Sequence, residues 1–402
     1  MRTLGASTRF ALVLFALFLY VGGAHATNIS GTITSTMTIT QDSQLVGDVT
    51  CTASLVVMPG ANPCIQFGFD HIKLKLNGHS ITGPADPPTG CSVPGDGKPY
   101  MVGIEAIDRT DIQIEGPGVI QHLQRWGILL GFPGHPSSRV TVRNVTLNRN
   151  CWSGTQTLST SDSNFEEDVF INNAAGSNGA PCGGICLSNS NANVIHKCKM
   201  YGNGSLDYSS GNVDFGVGFE GTSSQNRVEE SDIGGNTNGV LVLDPTAIAN
   251  IVSHNIIAGN PPGQVRKTFT ASNQAGFDIQ DNSSAGANTF EDNFCLTYEG
   301  NAATAPCPNL RTEGVEEAAG RLRILLNGQK GSKDPRPSHA ISSMASLRAI
   351  ADETPNWQRA LASSVLLSLG FLLAVLRISS SHSRTHSSRP ILNKSQLTKE
   401  EV

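Results

Sequence analysis

Asn226-Arg-Val-Glu-Glu-Ser-Asp-Ile-Gly-Gly-Asn-Thr-Asn-Gly-Val-Leu-Val-Leu243 decides the fold of this 402-residue chain. Apolar side chains stand two and seven positions after Asn226, at Val228 and Ile233, with Ser231 between them and a second asparagine at Asn236. Gly239 then opens a short run of period two. Brief alternation broken by polar turns suits short strands and no helix.

The block recurs along the chain. Starting points at Ser163, Asn193, Asn226, Asn250 and Asn288 are separated by 30, 33, 24 and 38 residues. Two positions on from each stand Phe165, Ile195, Val228, Val252 and Phe290; seven positions on stand Phe170, Met200, Ile233, Ile257 and Cys295. Between them come Asp168, Cys198, Ser231, Asn255 and Asn293, and a looser copy covers Val140 to Asn150. A second mark keeps step: Gly103-Ile104, Gly127-Ile128, Gly184-Ile185, Gly216-Val217, Gly239-Val240 and Gly276-Phe277.

Such a pattern predicts a coil of roughly 22 to 30 residues per turn, each turn giving three short strands that stack in parallel on the next. No single turn can bury its apolar side, whereas stacked turns make one interior column from Phe165 to Phe290. The asparagines are expected in the turns, bonding along the stack and tolerating left-handed backbone, and the glycines where φ is positive.

These spaced Asn-x-apolar blocks, the Gly-Ile strand starts and the segment Leu74-Lys-Leu-Asn-Gly-His-Ser-Ile-Thr-Gly83 resemble right-handed parallel β-helix repeat proteins of the pectate-lyase-like superfamily. The resemblance covers residues 50 to 310 and implies an all-β, right-handed parallel β-helix solenoid. It also implies action on acidic polysaccharides through aspartate clusters, calcium with an arginine base, or paired carboxylates. The polygalacturonase branch carries Gly-His-Gly, an adjacent aspartate pair and Arg-Ile-Lys, and none is present. Gly78-His79-Ser80 and Gly134-His135-Pro136 are the nearest, both in turn-like surroundings.

Composition agrees with a turn-rich β protein: 42 glycines, 15% charged residues and a net charge of -5. With no basic block in the repeat region, nucleic acid is not expected as a partner. Residues 1–26 read as a signal peptide, with Arg2 and Arg9 before an apolar run and Ala24-His25-Ala26 at the cleavage point. The coil is expected over 27–310, with a proline- and glycine-rich insertion from Pro84 to Pro99. A linker with a weak amphipathic helix follows over 311–356. A transmembrane helix is expected over 357–378, where Ala360 to Leu376 carries no charge and Trp357 marks one interface. A basic cytoplasmic tail over 379–402 completes a single-pass membrane anchor that leaves the coil extracellular or periplasmic.

Nine cysteines suit export. Cys51 and Cys64, Cys186 and Cys198, and Cys295 and Cys307 are spaced to form disulfides, leaving Cys91, Cys151 and Cys182. Zinc on Cys182, Cys186 and Cys198 is disfavoured, since the spacing lacks a fourth ligand at short range. No metal or cofactor is otherwise expected, calcium being a weak alternative. Asn28, Asn144, Asn203, Asn282 and Asn393 match the glycosylation acceptor pattern.

Two outer positions could carry chemistry. One repeat column reads Glu167, Lys197, Glu230, His254, Asp292. It places His254 between Glu230 and Asp292, roughly 4.8 Å from each, an arrangement suited to general acid/base work; a plain charge ladder is the commoner outcome. The Gly-apolar strands give a second row, Glu105, Leu129, Cys186, Gly218, Leu241 and Asp278, with Glu220 and Gln280 beside it. There Glu220, Asp278, Asp214 and Asp244 could form an acidic patch for calcium or sugar hydroxyls. Binding or display toward an extracellular polysaccharide is the first expectation. A lyase, hydrolase or epimerase with unfamiliar residues is the second, and a structural or adhesive surface protein the third.

Overall fold

The computed structural model describes residues 26–52, 62–85, 101–174, 183–204, 214–260, 277–295, 297–300 and 306–307. The linker, the apolar run and the basic tail lie outside them, as do residues 1–25 of the leader, Cys91 and Cys182. Among the described residues there is no helix, and none long and apolar enough to cross a membrane.

The chain is a parallel β-helix. Every strand pairing is parallel, and each full turn supplies three strands, as in Asn164–Glu166, Val169–Ile171 and Gly183–Ser188. The first and second strands of successive turns form one bent sheet of sixteen strands; the third strands form a ten-stranded sheet from Met37–Ile39 to Tyr298–Gly300.

Register follows the repeat. Phe165 pairs with Ile195, Ile195 with Val228, Val228 with Val252, and Val252 with Phe290. All five are buried, as are Phe170, Met200, Ile233, Ile257 and Cys295 in the parallel column. A chain of strands three residues long is stable only because each apolar side chain is sandwiched by those of the turns before and after.

The asparagines do more than fill turns. Asn193 donates its amide to Oδ1 of Asn226 at 2.9 Å, Asn226 to Asn250 at 2.9 Å, and Asn250 to Asn288 at 3.0 Å. A second ladder runs from Asn255 to Asn293, and a third from Asn150 through Asn173, Asn203 and Asn236 to Asn260. These side chains point inward and are buried, and at every ladder position but Asn288 the left-handed residue is the one before, as with Gln225 before Asn226, His254 before Asn255 and Gly235 before Asn236. The corner thus turns the backbone with one residue and satisfies its polar groups with the next. Asn203 has no amide left for a glycan, whereas Asn28, Asn144 and Asn282 are exposed.

Three expectations are corrected. Gly127, Gly154, Gly184 and Gly216 do not have positive φ; a Cβ on Gly127 would stand 2.6 Å from the carbonyl oxygen of Gly154, so close approach of neighbouring turns is what excludes a side chain. The same column runs on from Gly239 to Asp278 rather than Gly276, so Gln280, not Asp278, pairs with Leu241. Ser153–Leu158 supplies a turn that the Gly-Ile mark passed over because Thr155 takes the apolar place.

Cys51–Cys64 and Cys295–Cys307 are disulfides, and Cys151 is also disulfide-bonded. Cys186 and Cys198 are not joined: the first faces outward from the ten-stranded sheet, the second lies inside the coil at the corner between Val194–His196 and Lys199–Tyr201, and both carry buried thiols.

Candidate functional site

The ten-stranded sheet carries a groove of about 860 Å³ over its first turns. Its floor is one outward column of the sheet, with Thr38, Gln66, Glu105 and Leu129 in register. Their strand neighbours Ile65, Ile104 and Ile128 point inward and are fully buried, which fixes the opposite side chains outward. One wall is Ile33, Ser35, Thr36 and the Cys51–Cys64 disulfide; the other is Asp108, Arg109, Phe132 and His135.

Glu105 is the chemically distinctive group. Although outward-facing, it is only 5% exposed, and its Oε1 accepts a hydrogen bond from Nε2 of Gln66 at 3.0 Å. Burial pushes its carboxyl up to about 7, with the Gln66 bond pulling the other way. Near neutral pH the group is therefore divided between acid and base, as proton-transfer residues are.

His135 is presented by a four-residue turn closed by two backbone bonds with Phe132, each 2.8 Å. Its Nδ1 lies 2.7 Å from Oδ2 of Asp108. Arg109 braces the same wall, donating Nε to the carbonyl of Phe67 at 2.9 Å and Nη1 to that of Asp108 at 2.7 Å. Next along the face, the guanidinium of Arg125 lies 3.9 Å from the Trp126 ring centre and 4.4 Å from that of Trp152. The two rings meet edge to face at 6.0 Å, and both are buried.

His254 and its neighbours stand at an outer corner of the sixteen-stranded sheet. Glu167, Lys197, Glu230, His254 and Asp292 all have φ between 49° and 57°. His254 Nε2 is 3.5 Å from Oδ2 of Asp292, while Glu230 pairs with the previous turn instead, 3.6 Å from Nε2 of His196 and 3.8 Å from Nζ of Lys197. His254 is 61% exposed, and the groove over Glu105 does not include this column.

The acidic quartet is spread over different places. Glu220 is largely buried on the outer side of the ten-stranded sheet, and burial pushes its carboxyl up to about 7; Asp244 adds to that, and bonds from Cys186 and Ser188 oppose it. Asp244 accepts the backbone N–H of Gly221 at 2.6 Å. Asp278 is buried and ends the third ladder, accepting from the Asn260 amide at 3.1 Å and from the Thr297 N–H at 3.1 Å. Asp214 is buried, its carbonyl bonded by Asn238. Among the described residues, no group of three or more ligating side chains converges on a metal position.

Glu105 is visible in sequence as a member of the outward row, but nothing in the spacing announces that its neighbours bury it. His135 comes from a turn whose geometry depends on residues 132 to 135 alone, with no repeat partner to reveal it.

No protein-family model and no curated protein sequence matches the chain. Among solved structures it is similar to the enzymatically active domain of tailspike protein 2 of bacteriophage CBA120, at 11% identity and a TM-score of 0.42, covering 70% of this chain and 44% of that one. It is similar to the A-module of a mannuronan C-5 epimerase of Azotobacter vinelandii at 12% identity and a TM-score of 0.36, covering 72% and 91%. An alginate lyase from Paenibacillus matches at 11% and 0.37, covering 70% and 90%. The chain thus spans less than half the length of the tailspike chain it matches. The assignment as a parallel β-helix rests on the strand register given above.

Proposed function

We propose that this chain binds an extracellular polysaccharide in the groove over Glu105. The observation that carries the reading is the floor of that groove, where the amide of Gln66 and a carboxyl near neutrality lie side by side and hydrogen-bonded. Such a pair both donates and accepts, which is what recognising sugar hydroxyls demands. Its volume lies within the usual range for ligand sites, and its floor spans four strands, about 14 Å at the usual strand spacing, room for a few sugar rings. The hydroxyl of Thr38 lies on the floor, and those of Ser35, Thr36 and Thr52 line the groove beside it.

Export supports the setting: two disulfides with both partners described favour an oxidising compartment. In this reading the leader over 1–26 is removed and the apolar run from Ala360 to Leu376 holds the coil at a membrane surface. An array of immobilised neutral and acidic polysaccharides tests the groove. Retention on at least one polymer, lost in the double variant Gln66→Ala, Glu105→Ala, is the expected outcome; retention on none removes the proposal.

A further inference from the structure

We propose that the groove is a hydrolytic site for a neutral polysaccharide, with Glu105 donating a proton and His135, oriented by Asp108, activating water. This rests on the groove being a glycan site. Glu105 and His135 line the same groove, one on its floor and one on its wall, and differ in the way an acid and a base must. Glu105 is held in a largely dry site that favours its protonated form. His135 is 58% exposed, and the carboxylate of Asp108 at Nδ1 fixes the tautomer that leaves Nε2 as the proton acceptor.

The step balances with these groups and water. Glu105 gives its proton to the bridging oxygen as the bond from that oxygen to the anomeric carbon breaks. The oxygen of water bonds to the same carbon, and its proton passes to Nε2 of His135. The carboxylate and imidazolium left behind exchange a proton through solvent, which restores the starting state.

Charge selects the substrate. Arg109, with its Nε and Nη1 held on the carbonyls of Phe67 and Asp108, is the one arginine or lysine among the described residues of the groove, set beside the carboxyls of Asp108 and Glu105. A polyuronate would bring one carboxylate per sugar against Asp108, and against Glu105 once it has given up its proton. A neutral chain brings none.

The full-length chain is incubated with xylohexaose and mannohexaose, and separately with oligogalacturonate and oligomannuronate. Binding is measured by calorimetry, and products are identified by mass. Fragments carrying one added water should appear from a neutral hexasaccharide, at a rate that falls as pH rises through about 7. Glu105→Gln should lower that rate roughly 10²–10⁴-fold, the usual size of a general-acid contribution, with binding kept and the melting temperature no lower than the parent's. His135→Asn should lower it while leaving the alkaline fall in place. Binding of a neutral hexasaccharide without cleavage overturns the hydrolytic proposal and spares the groove. Cleavage of an acidic oligomer to unsaturated ends, or full activity in Glu105→Gln, also overturns it. Binding of none of the four overturns the hydrolytic proposal, and retention on no polymer of the array removes the glycan groove with it.

Discussion

The amide of Gln66 donates to Oε1 of Glu105 at 3.0 Å, from one turn of the coil to the next, and yet burial outweighs that bond in setting the proton affinity of the carboxyl. A side chain on the outer surface of a solenoid is ordinarily hydrated. Here the groove walls remove it from water.

Stability should therefore depend on pH with a definite sign. The Glu105 carboxyl moves from 4.5 to about 7 on folding, so the native state binds the extra proton between those values. Its contribution is fully present below about 4.5 and is lost as pH rises through about 7. The difference approaches about 3 kcal/mol, since each tenfold change in proton affinity is worth about 1.36 kcal/mol. Glu105→Gln should gain stability relative to the parent at pH 8 and not at pH 4.5. Urea unfolding at both values checks it; equal differences at both would show that the carboxyl is hydrated.

The column that ends in the second ladder begins with a buried acid. Asp168 accepts the Val145 N–H at 2.8 Å, and burial pushes its carboxyl well above the ordinary range. Its successors in the column are Cys198, Ser231, Asn255 and Asn293. Asp168→Asn keeps the shape and removes the ionisable group, so it should leave stability unchanged or raise it at pH 8. A melting temperature lowered by several degrees would mean that the charge has a partner.

Asn250 sits mid-ladder, its Oδ1 receiving both the backbone N–H of Asn226 at 3.1 Å and its amide at 2.9 Å. Asn250→Ala leaves two buried donors without an acceptor and should cost about 2–6 kcal/mol, at about 1–3 kcal/mol each. Glu230→Ala, at an exposed corner, should change stability by less than about 1 kcal/mol. Chemical denaturation of the two variants compares them directly, and equal costs would mean that the ladder is not what orders the coil.

The coil is legible because its physics is periodic. Phe165, Ile195, Val228, Val252 and Phe290 share an offset in sequence and a column in space, since one apolar position per turn must face the interior. Where a turn breaks the pattern, the sequence misleads: Asp278 fills a glycine slot, and Thr155 an isoleucine slot. The spacing puts His254 beside Asp292, as the structure does, but Glu230 turns back to His196, because long side chains at a corner choose partners by rotamer and not by register. The groove is not legible. Its depth comes from walls that belong to no repeat, the disulfide between Cys51 and Cys64 and the turn from Phe132 to His135.

Anchoring is open to a direct check. The mature chain should begin near Thr27 and partition with membranes through carbonate washing, and truncation after Trp357 should release it in soluble form. A full-length chain that is soluble after those washes would remove the anchor and leave the coil untouched.

The most direct measurement compares two single variants in one binding experiment. Thr38 is exposed on the groove floor, on the other sheet from the His254 corner, so Thr38→Trp fills the groove without replacing Glu105, Asp108 or His135. His254→Ala empties the other candidate position. Against the polysaccharide that the parent binds, Thr38→Trp should lose at least about tenfold in affinity, roughly 1.4 kcal/mol, and His254→Ala should match the parent, both melting at the parent's temperature. Affinity kept in Thr38→Trp and lost in His254→Ala would place the site at the His254 corner of the coil and contradict the groove.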